Sequence, residues 1–387
     1  MTGPSAAAAT GPLAGLKIVE MAGLGPVPLA GLILSELGAT VLRVERLARD
    51  QAFLHVPAAF DLDRHGRCIV RLDLKRPEGI QLMLRLIGAA DCLVEGFRPG
   101  VMERLGLGPE VALVRNPALV YGRMTGFGQE GPLAPRAGHD LTYLALSGVL
   151  HAIGPRGGRP VPPLNLVADY GGGTMFLIVG LLAALFERAR SGKGQVVDAA
   201  MVDGASMLAA PFFAFLAAGL WQDRRGSNLL DSGAPFYDTY EAADGRHVAV
   251  ACLEAQFFAE FARLLPLETR FVSGQYDTGL WPEMRAAIVA RILEKPRDEW
   301  ADLFAGTDAC VAPVLSLGEA PSHPHARARE AHAVRGSMTR PRPAPRFSRS
   351  ATSTAGLPVA DPAAALAAFG ISGDEAEALA SAGIVGR

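Results

Sequence analysis

The sequence contains few cysteines and no close pair among them. Its 387 residues include four, which lie far apart: Cys68, Cys92, Cys252 and Cys310. A structural zinc site or a disulfide framework would need paired or closely spaced cysteines. We therefore expect no metal site and a reducing compartment, which favours the cytoplasm.

An excess of charge of one sign and long hydrophobic runs are also missing. The net charge of −2 gives no overall attraction to nucleic acid or acidic membranes, so we expect neither as a partner. The longest apolar runs, 175–186 and 207–221, are shorter than the ~20 residues of a membrane span and predict buried helices. Residues 1–12 lack the basic and apolar regions of a secretory signal and are interpreted as a disordered tail.

Strand and helix patterns alternate along most of the chain. LKIVEM (16–21), LAGLILSEL (29–37) and ATVLRVER (39–46) predict a strand, a helix and a second strand, which is typical of a parallel α/β sheet. Further strands are predicted at 69–74, 91–97, 118–128 and 195–202. The fold prediction is therefore α/β, with a large Rossmann-like parallel-sheet domain.

The composition changes near residue 228, where a strand-rich stretch begins with a hairpin about Asp244 and Gly245. The length of the chain also favours more than one domain. We predict a large domain from 13–205 with 330–387, a linker helix over 206–227, and a smaller α+β domain over 228–322.

The turn after the first strand resembles part of a dinucleotide-binding motif. Gly23 and Gly25 begin a G-x-G-x-x-G pattern, and Glu45 follows about where a ribose-binding acid would lie. The third glycine is replaced by Pro28, and Pro26 removes a further amide from the helix start. A pyrophosphate needs those amides, so the sequence argues against an NAD site.

Charged residues follow several of the predicted strands, where α/β proteins place functional groups. His139 and Asp140 precede an apolar helix, Arg98 lies in a strand-to-helix turn, and Glu254 separates a strand from an aromatic helix. Each has a structural alternative. Asp140 could serve as an N-cap, and Glu254 could stand at a helix start. His139 could be a solvated loop residue, and Arg98 could belong to a surface ion pair.

Asp169 stands before three glycines and a predicted helix. Glycines at 171–173 would let a ligand approach the backbone, and the helix start would offer free amides and a positive dipole end. Such amides could stabilise a developing oxyanion. The structural alternative is an N-cap followed by a glycine-rich turn.

These motifs together resemble the class III CoA-transferase superfamily and, within it, the α-methylacyl-CoA racemases. RPGVMERLG and ADYGGG are typical of the whole superfamily, whereas the GHD before a helix and the later LEAQFF resemble the racemase branch. The resemblance covers nearly the whole chain, from GPLAGLKIVE (11–20) to DACVAPVLSLGEAPSHPHARAR (308–329). It implies an interlocked homodimer whose active site lies at the subunit interface.

The resemblance implies an isomerase that epimerises 2-methylacyl-CoA thioesters at C2, an enzyme of lipid and fatty acid metabolism. Removing a proton from C2 and returning one to the opposite face needs two acid–base groups, for which His139 and Asp169 are expected. Glu254 would hydrogen-bond the far nitrogen of His139 and fix its tautomer. The amides of Asp169 and Tyr170 are the expected donors to the enolate oxygen.

The large domain is expected to bind CoA. Arg46, Arg98 and Arg104 match CoA-contacting positions of the family, and arginine suits the phosphates of CoA. CoA is part of the substrate, so no further cofactor and no metal is expected. Two alternatives stay open: a CoA-transferase in which Asp169 is the nucleophile of an acyl-aspartyl anhydride, and a non-catalytic acyl-CoA-binding protein. Branched fatty acyl, sterol side-chain and arylpropionyl thioesters are all candidate substrates.

Overall fold

The computed structural model describes residues 10–47, 56–359 and 361–386. The chain divides into two compact units. The first contains the residues up to Ser147, Leu164–Leu208 and the residues from Glu330, and the second contains Gly148–Pro163 and Ala209–Arg329. This division differs from the predicted domain boundaries, because residues 148–163 lie with the second unit. Most of the tail predicted at 1–12 lies outside the described residues, but Gly11 packs against the Leu37 backbone.

Strands and α-helices occur in both units of the chain. The strands are β1 Lys17–Met21, β2 Thr40–Arg46, β3 Arg67–Leu72, β4 Cys92–Glu95, β5 Val120–Thr125, β6 Gln195–Ala200, β7 Tyr237–Glu241, β8 His247–Ala251, β9 Val311–Pro313, β10 His332–Arg335 and β11 Met338–Pro341. The helices are α1 Pro26–Glu36, α2 Pro77–Ala89, α3 Val101–Arg104, α4 Pro109–Arg115, α5 Asp140–Leu146, α6 Val149–Ala152, α7 Phe176–Ser191, α8 Met201–Leu208, α9 Ala210–Ala217, α10 Ala255–Leu264, α11 Thr269–Ser273, α12 Trp281–Ile292, α13 Arg297–Phe304, α14 Pro324–Ala328, α15 Pro362–Ala367 and α16 Gly373–Ser381. A π-helical segment, Leu166–Met175, precedes α7, and a short 3₁₀ helix covers Ala320–Ser322.

The first unit is built on a six-stranded parallel sheet in the order β3-β2-β1-β4-β5-β6. β4 and β5 are buried along their whole length, as expected for central strands covered on both faces. The predicted parallel α/β sheet is therefore confirmed. After β1 the chain adds β2 and β3 on one side and then β4, β5 and β6 on the other side. This change of side leaves a crevice at the carboxyl ends of β1 and β4.

The π-helical segment and α7 form one continuous helix of 26 residues, Leu166–Ser191. By length and composition alone it could cross a membrane, although its longest apolar run, 175–186, is shorter than a membrane span. The helix packs on the sheet instead. A Cβ on Gly122 of β5 would lie 3.0 Å from Leu181, and one on Gly180 would lie 2.5 Å from Val197 of β6. These two glycines let the helix approach the strands closely.

Three charged side chains are buried together between the sheet and α1. Glu20 of β1 accepts hydrogen bonds from Arg43 of β2 and from Arg67, whose Nε lies 3.1 Å from its Oε2. Arg67 also donates to the Pro28 carbonyl in α1. Glu20 and Arg67 are each 1% exposed, and their charges are tolerated because they are paired and hydrogen-bonded. The cluster ties the start of α1 to three strands.

A segment near the C-terminus pairs with the outer edge of β3. The Val359 amide donates to the Arg67 carbonyl at 2.8 Å, and the Ile69 amide donates to the Val359 carbonyl at 2.9 Å. Further along, the Gly386 amide donates to the Arg71 carbonyl at 2.9 Å. Residues distant in sequence therefore complete the edge of the sheet.

The second unit contains the antiparallel sheet β7-β8-β9 and the helices around it. The predicted hairpin about Asp244 and Gly245 is confirmed, since β7 and β8 pair antiparallel. Phe236, Phe258 and Phe261 are fully buried in its aromatic core.

The linker helix predicted over 206–227 is wrong as a single element. α8 ends at Leu208, and α9 covers only Ala210–Ala217. Pro211 lies in the first turn of α9, where the missing amide is tolerated; it would break a helix that continued from α8.

Candidate active site

The candidate site lies at the crevice where β1 and β4 diverge. The turn after β1 ends at Gly25, which has φ +67° and ψ −115°. A Cβ on this glycine would lie 3.3 Å from Oδ2 of Asp169. The Asp169 carboxylate therefore stands directly against the first turn of the sheet, where α/β proteins bind their ligands.

Asp169 lies within the π-helical segment, not ahead of a helix as the sequence suggested. Its side chain is half-buried, and Oδ2 accepts a hydrogen bond from Asn165 Nδ2 at 3.3 Å. Burial raises the pKa of Asp169 above its usual value, and the charge of Asp140 raises it further. The hydrogen bond from Asn165 and the charge of His139 lower this pKa by smaller amounts than burial raises it. The carboxyl group consequently holds a proton more readily than a solvated aspartate.

The three glycines after Asp169 have a different role from the one predicted. A Cβ on Gly172 would lie 2.5 Å from the Ala205 amide, and one on Gly204 of α8 would clash with the Gly172 carbonyl. A Cβ on Gly173 would lie 2.9 Å from Met201. The backbone that approaches these glycines is that of α8, and the expectation that they admit a ligand was wrong.

His139 is the N-cap residue of α5 and is exposed. The Thr142 hydroxyl accepts a hydrogen bond from the His139 amide at 3.0 Å and donates to the His139 carbonyl at 2.7 Å. Both bonds use the backbone of His139, so they fix its position at the helix start. The predicted N-cap, Asp140, is instead the first residue inside the helix.

Asp140 connects this helix to the segment that carries Asp169. Its Oδ1 accepts hydrogen bonds from the amides of Ala168, at 2.9 Å, and Asp169, at 2.7 Å. The Asp169 amide therefore already has an acceptor, and its predicted donation to an enolate oxygen does not fit this structure. Tyr170 lies in the same π-helical segment, in which amides bond to carbonyls five residues back. The predicted donation from the Tyr170 amide to an enolate oxygen stays a prediction.

Tyr143 is a site residue that sequence reasoning missed. It lies one turn after Asp140 and is 6% exposed, and its ring packs edge-on against Phe127 with centroids 4.9 Å apart. Cβ atoms on Gly126 and Gly138 would lie 2.2 and 2.5 Å from this ring. Those two glycines were the available sequence signal, since they leave room for a large side chain.

The Tyr143 hydroxyl faces charged groups of the site. Its pKa is raised to about 12, mainly by burial, with the charge of Asp169 raising it further and that of Arg98 lowering it. The hydroxyl is thus protonated at neutral pH. Asp169 and Arg98 are therefore each close enough to Tyr143 to act on its hydroxyl electrostatically.

Arg98 is exposed in the loop after β4, and two ion pairs of the buried Arg123 hold that loop. Glu95 accepts a hydrogen bond from the Phe97 amide at 2.7 Å and from Arg123 Nε at 3.0 Å. Arg123 also forms an ion pair with Glu103 at 2.8 Å. These contacts fix both ends of the turn that presents Arg98.

The other two predicted CoA-binding arginines are also at the carboxyl end of the sheet region. Arg46 is the last residue of β2, and Arg104 is the last residue of α3. Both are exposed. Their contact with CoA stays a prediction.

Glu254 belongs to the second unit, where it is the exposed N-cap residue of α10. Its side chain makes no capping hydrogen bond, so the side chain does not cap α10. Its predicted contact with His139 stays a prediction. Within residues 10–47, 56–359 and 361–386, no group of three or more His, Cys, Asp or Glu side chains is arranged to hold a metal ion.

Comparison with known proteins gives consistent results. Residues 13–364 match CoA-transferase family III. The α-methylacyl-CoA racemase of Mus musculus is 46% identical over 82% of this chain and 82% of its own length. The acetyl-CoA:oxalate CoA-transferase of Acetobacter aceti is 31% identical over 77% of this chain and 79% of its own.

Among solved structures, a CaiB/BaiF family protein from Brucella suis superposes with a TM-score of 0.76 at 26% identity, covering 93% of this chain and all of that one. The family match spans most of the sequence, and the fold agrees with it. The chain therefore belongs to CoA-transferase family III, and its relatives include enzymes of acyl-CoA racemisation and of CoA transfer.

Proposed function

We propose that this protein is an isomerase that epimerises 2-methylacyl-CoA thioesters at C2 by proton transfer through an enolate. The observation that carries the proposal is the connection of His139 to Asp169 through Asp140, because it holds two acid–base groups within one site. The 46% identity to a mouse α-methylacyl-CoA racemase supports the same activity.

The chemistry requires one group on each side of C2. In one direction neutral His139 removes the proton while protonated Asp169 returns one to the opposite face; in the other direction the roles exchange. An acid suited to this work must keep its proton near neutral pH. The partial burial of Asp169 raises its pKa, which is the direction that this role requires.

The remaining roles follow the family resemblance. Arg46, Arg98 and Arg104 bind the phosphates of CoA, and Glu254 orients the imidazole of His139 from the partner subunit of a homodimer. We assign the protein to the cytoplasm and to lipid and fatty acid metabolism. The reaction requires no redox cofactor and no metal, since the thioester itself acidifies C2.

The competing function is CoA transfer, with Asp169 attacking the thioester as a carboxylate. The similarity to an acetyl-CoA:oxalate CoA-transferase supports this alternative. A raised pKa of Asp169 disfavours the carboxylate form that a nucleophile needs. A transferase also has no need for a second base, so the fixed position of His139 favours racemisation.

The decisive experiment is to incubate the purified protein with one epimer of a 2-methylacyl-CoA in D₂O and to follow C2 by NMR. We expect deuterium incorporation and epimerisation without any added carboxylic acid. Movement of CoA that depends on such an acceptor, without exchange at C2, would establish the transferase instead.

A variant separates catalysis from binding in the same assay. His139→Ala removes one of the two acid–base groups and should abolish epimerisation, while the affinity for the CoA ester is retained. Full activity of this variant would exclude the proposed mechanism.

A further inference from the structure

The Asp140 carboxylate is buried in an unusual way. The residue is 6% exposed, and its Oδ1 accepts two backbone amides. Its Oδ2 is also buried but has no hydrogen-bond partner. A buried acceptor without a donor is disfavoured, so a helix-stabilising role alone does not account for this carboxylate.

The position of Asp140 relates it to both proposed acid–base groups. It follows His139 directly in the sequence, at the point where Thr142 fixes the backbone. Its side chain binds the amide of Asp169, 29 residues later in the chain. A path of one peptide bond, one short side chain and one hydrogen bond therefore runs from His139 to Asp169.

We propose that Asp140 is a positioning residue that sets the separation and orientation of His139 and Asp169 on the two sides of C2. The inference rests on the proposed racemisation, because a transferase would not need a fixed distance between these two groups. A displacement of about 1 Å between reacting groups can reduce a rate by roughly 10²-fold. The role should therefore be visible in kcat.

Asp140 also contributes a charge. The groups that face the Asp169 carboxyl are Asn165 in its own segment, His139 and Asp140 at the start of α5, Tyr143 within α5, and the uncharged turn at Gly25. Asp140 raises the pKa of Asp169, whereas Asn165 and His139 lower it. Replacing Asp140 by asparagine keeps an oxygen acceptor for the amides but removes the negative charge, so the pKa of Asp169 should fall.

The test compares Asp140→Ala and Asp140→Asn with Asp361→Ala. Asp361 is the control, because its carboxylate also accepts a backbone amide at a helix start, that of Ala363 at 3.0 Å. It is exposed and caps α15 of the first unit. We expect Asp140→Ala to lower kcat by about 10²-fold with KM changed less than about threefold. Asp361→Ala should keep the wild-type kcat.

Asp140→Asn should recover most of kcat because it preserves the acceptor. The dependence of kcat on pH should differ from that of the wild type. When each epimer is used as substrate, the part of the profile that reflects the titration of Asp169 should move to lower pH. This shift is a result that a merely structural role would not produce.

The outcomes distinguish this inference from the proposed function. If the wild type does not exchange the C2 proton, the proposed function fails. If the wild type is active and Asp140→Ala keeps its kcat, the positioning role is refuted. If Asp140→Ala does not fold, Asp140→Asn decides: a pH profile identical to the wild type, or a loss of kcat as large as that expected for alanine, would overturn the inference.

Discussion

Replacing Gly25 by alanine should reduce catalysis more than it reduces stability. The backbone at Gly25 has φ +67° and ψ −115°, a sparsely populated region that costs a residue with a Cβ about 1–3 kcal/mol. A loss of this size lowers the Tm of a domain of 150–250 residues by roughly 2–12 °C. The new methyl group would also stand 3.3 Å from Asp169 Oδ2, so the carboxylate must shift by a few tenths of an ångström. We expect kcat to fall by about one to two orders of magnitude, since acid–base geometry is sensitive to such shifts.

The assay is C2 exchange in D₂O, combined with thermal unfolding of the same samples. Gly192→Ala is the control for a positive φ without a contact, because Gly192 has φ +72° and ψ 3° in the same unit and a Cβ there would meet nothing within 4 Å. The control should lose stability but keep kcat and KM. Equal kcat losses in both variants would show that backbone strain alone explains the effect, and the contact with Asp169 would have no catalytic importance.

Three further predictions concern binding, stability and pH. Arg98→Ala should raise the Kd for CoA esters and leave kcat nearly unchanged; an unchanged Kd in calorimetry would remove its assigned role. Arg67→Met should destabilise the protein by about 3–5 kcal/mol in urea unfolding, because it leaves the buried Glu20 partly unpaired. Arg85→Met, at an exposed ion pair, should destabilise it by at most about 1 kcal/mol. Asp169→Asn should be inactive yet more stable than the wild type at high pH. Folding raises the pKa of the Asp169 carboxyl, so this carboxyl stabilises the wild type at a pH below its unfolded pKa. The stabilisation is lost as the pH rises through the raised pKa of the folded state. A Tm difference that does not grow from pH 4 to pH 8 would contradict this last reasoning.

The parallel sheet could be predicted because its strands are encoded locally. Each of the six strands begins and ends within three residues of the stretch that was predicted for it. Arg98 and His139 could also be chosen as candidates, because they lie at a strand exit and at a helix start. Asp169 could be chosen because of the glycines that follow it, although it lies within the π-helical segment.

The contacts of these residues could not be predicted, because they depend on parts of the chain that are distant in sequence. Asp140 has the sequence context of an N-cap, but its Oδ1 accepts the amides of Ala168 and Asp169. The glycines after Asp169 suggested a ligand, but the α8 backbone at Gly204 lies there. A local pattern indicates that a backbone needs space; it does not indicate which neighbour fills that space.

The pairing of Val359 with β3 has a consequence for synthesis of the chain. β3 is the outermost strand of its sheet, and until the segment around Val359 has emerged from the ribosome its outer edge has no partner. The whole second unit is translated during that interval. An unpaired strand edge is a site of intermolecular association. Nascent chains that stall between residues 329 and 359 should therefore be the form of this protein that depends most on chaperones.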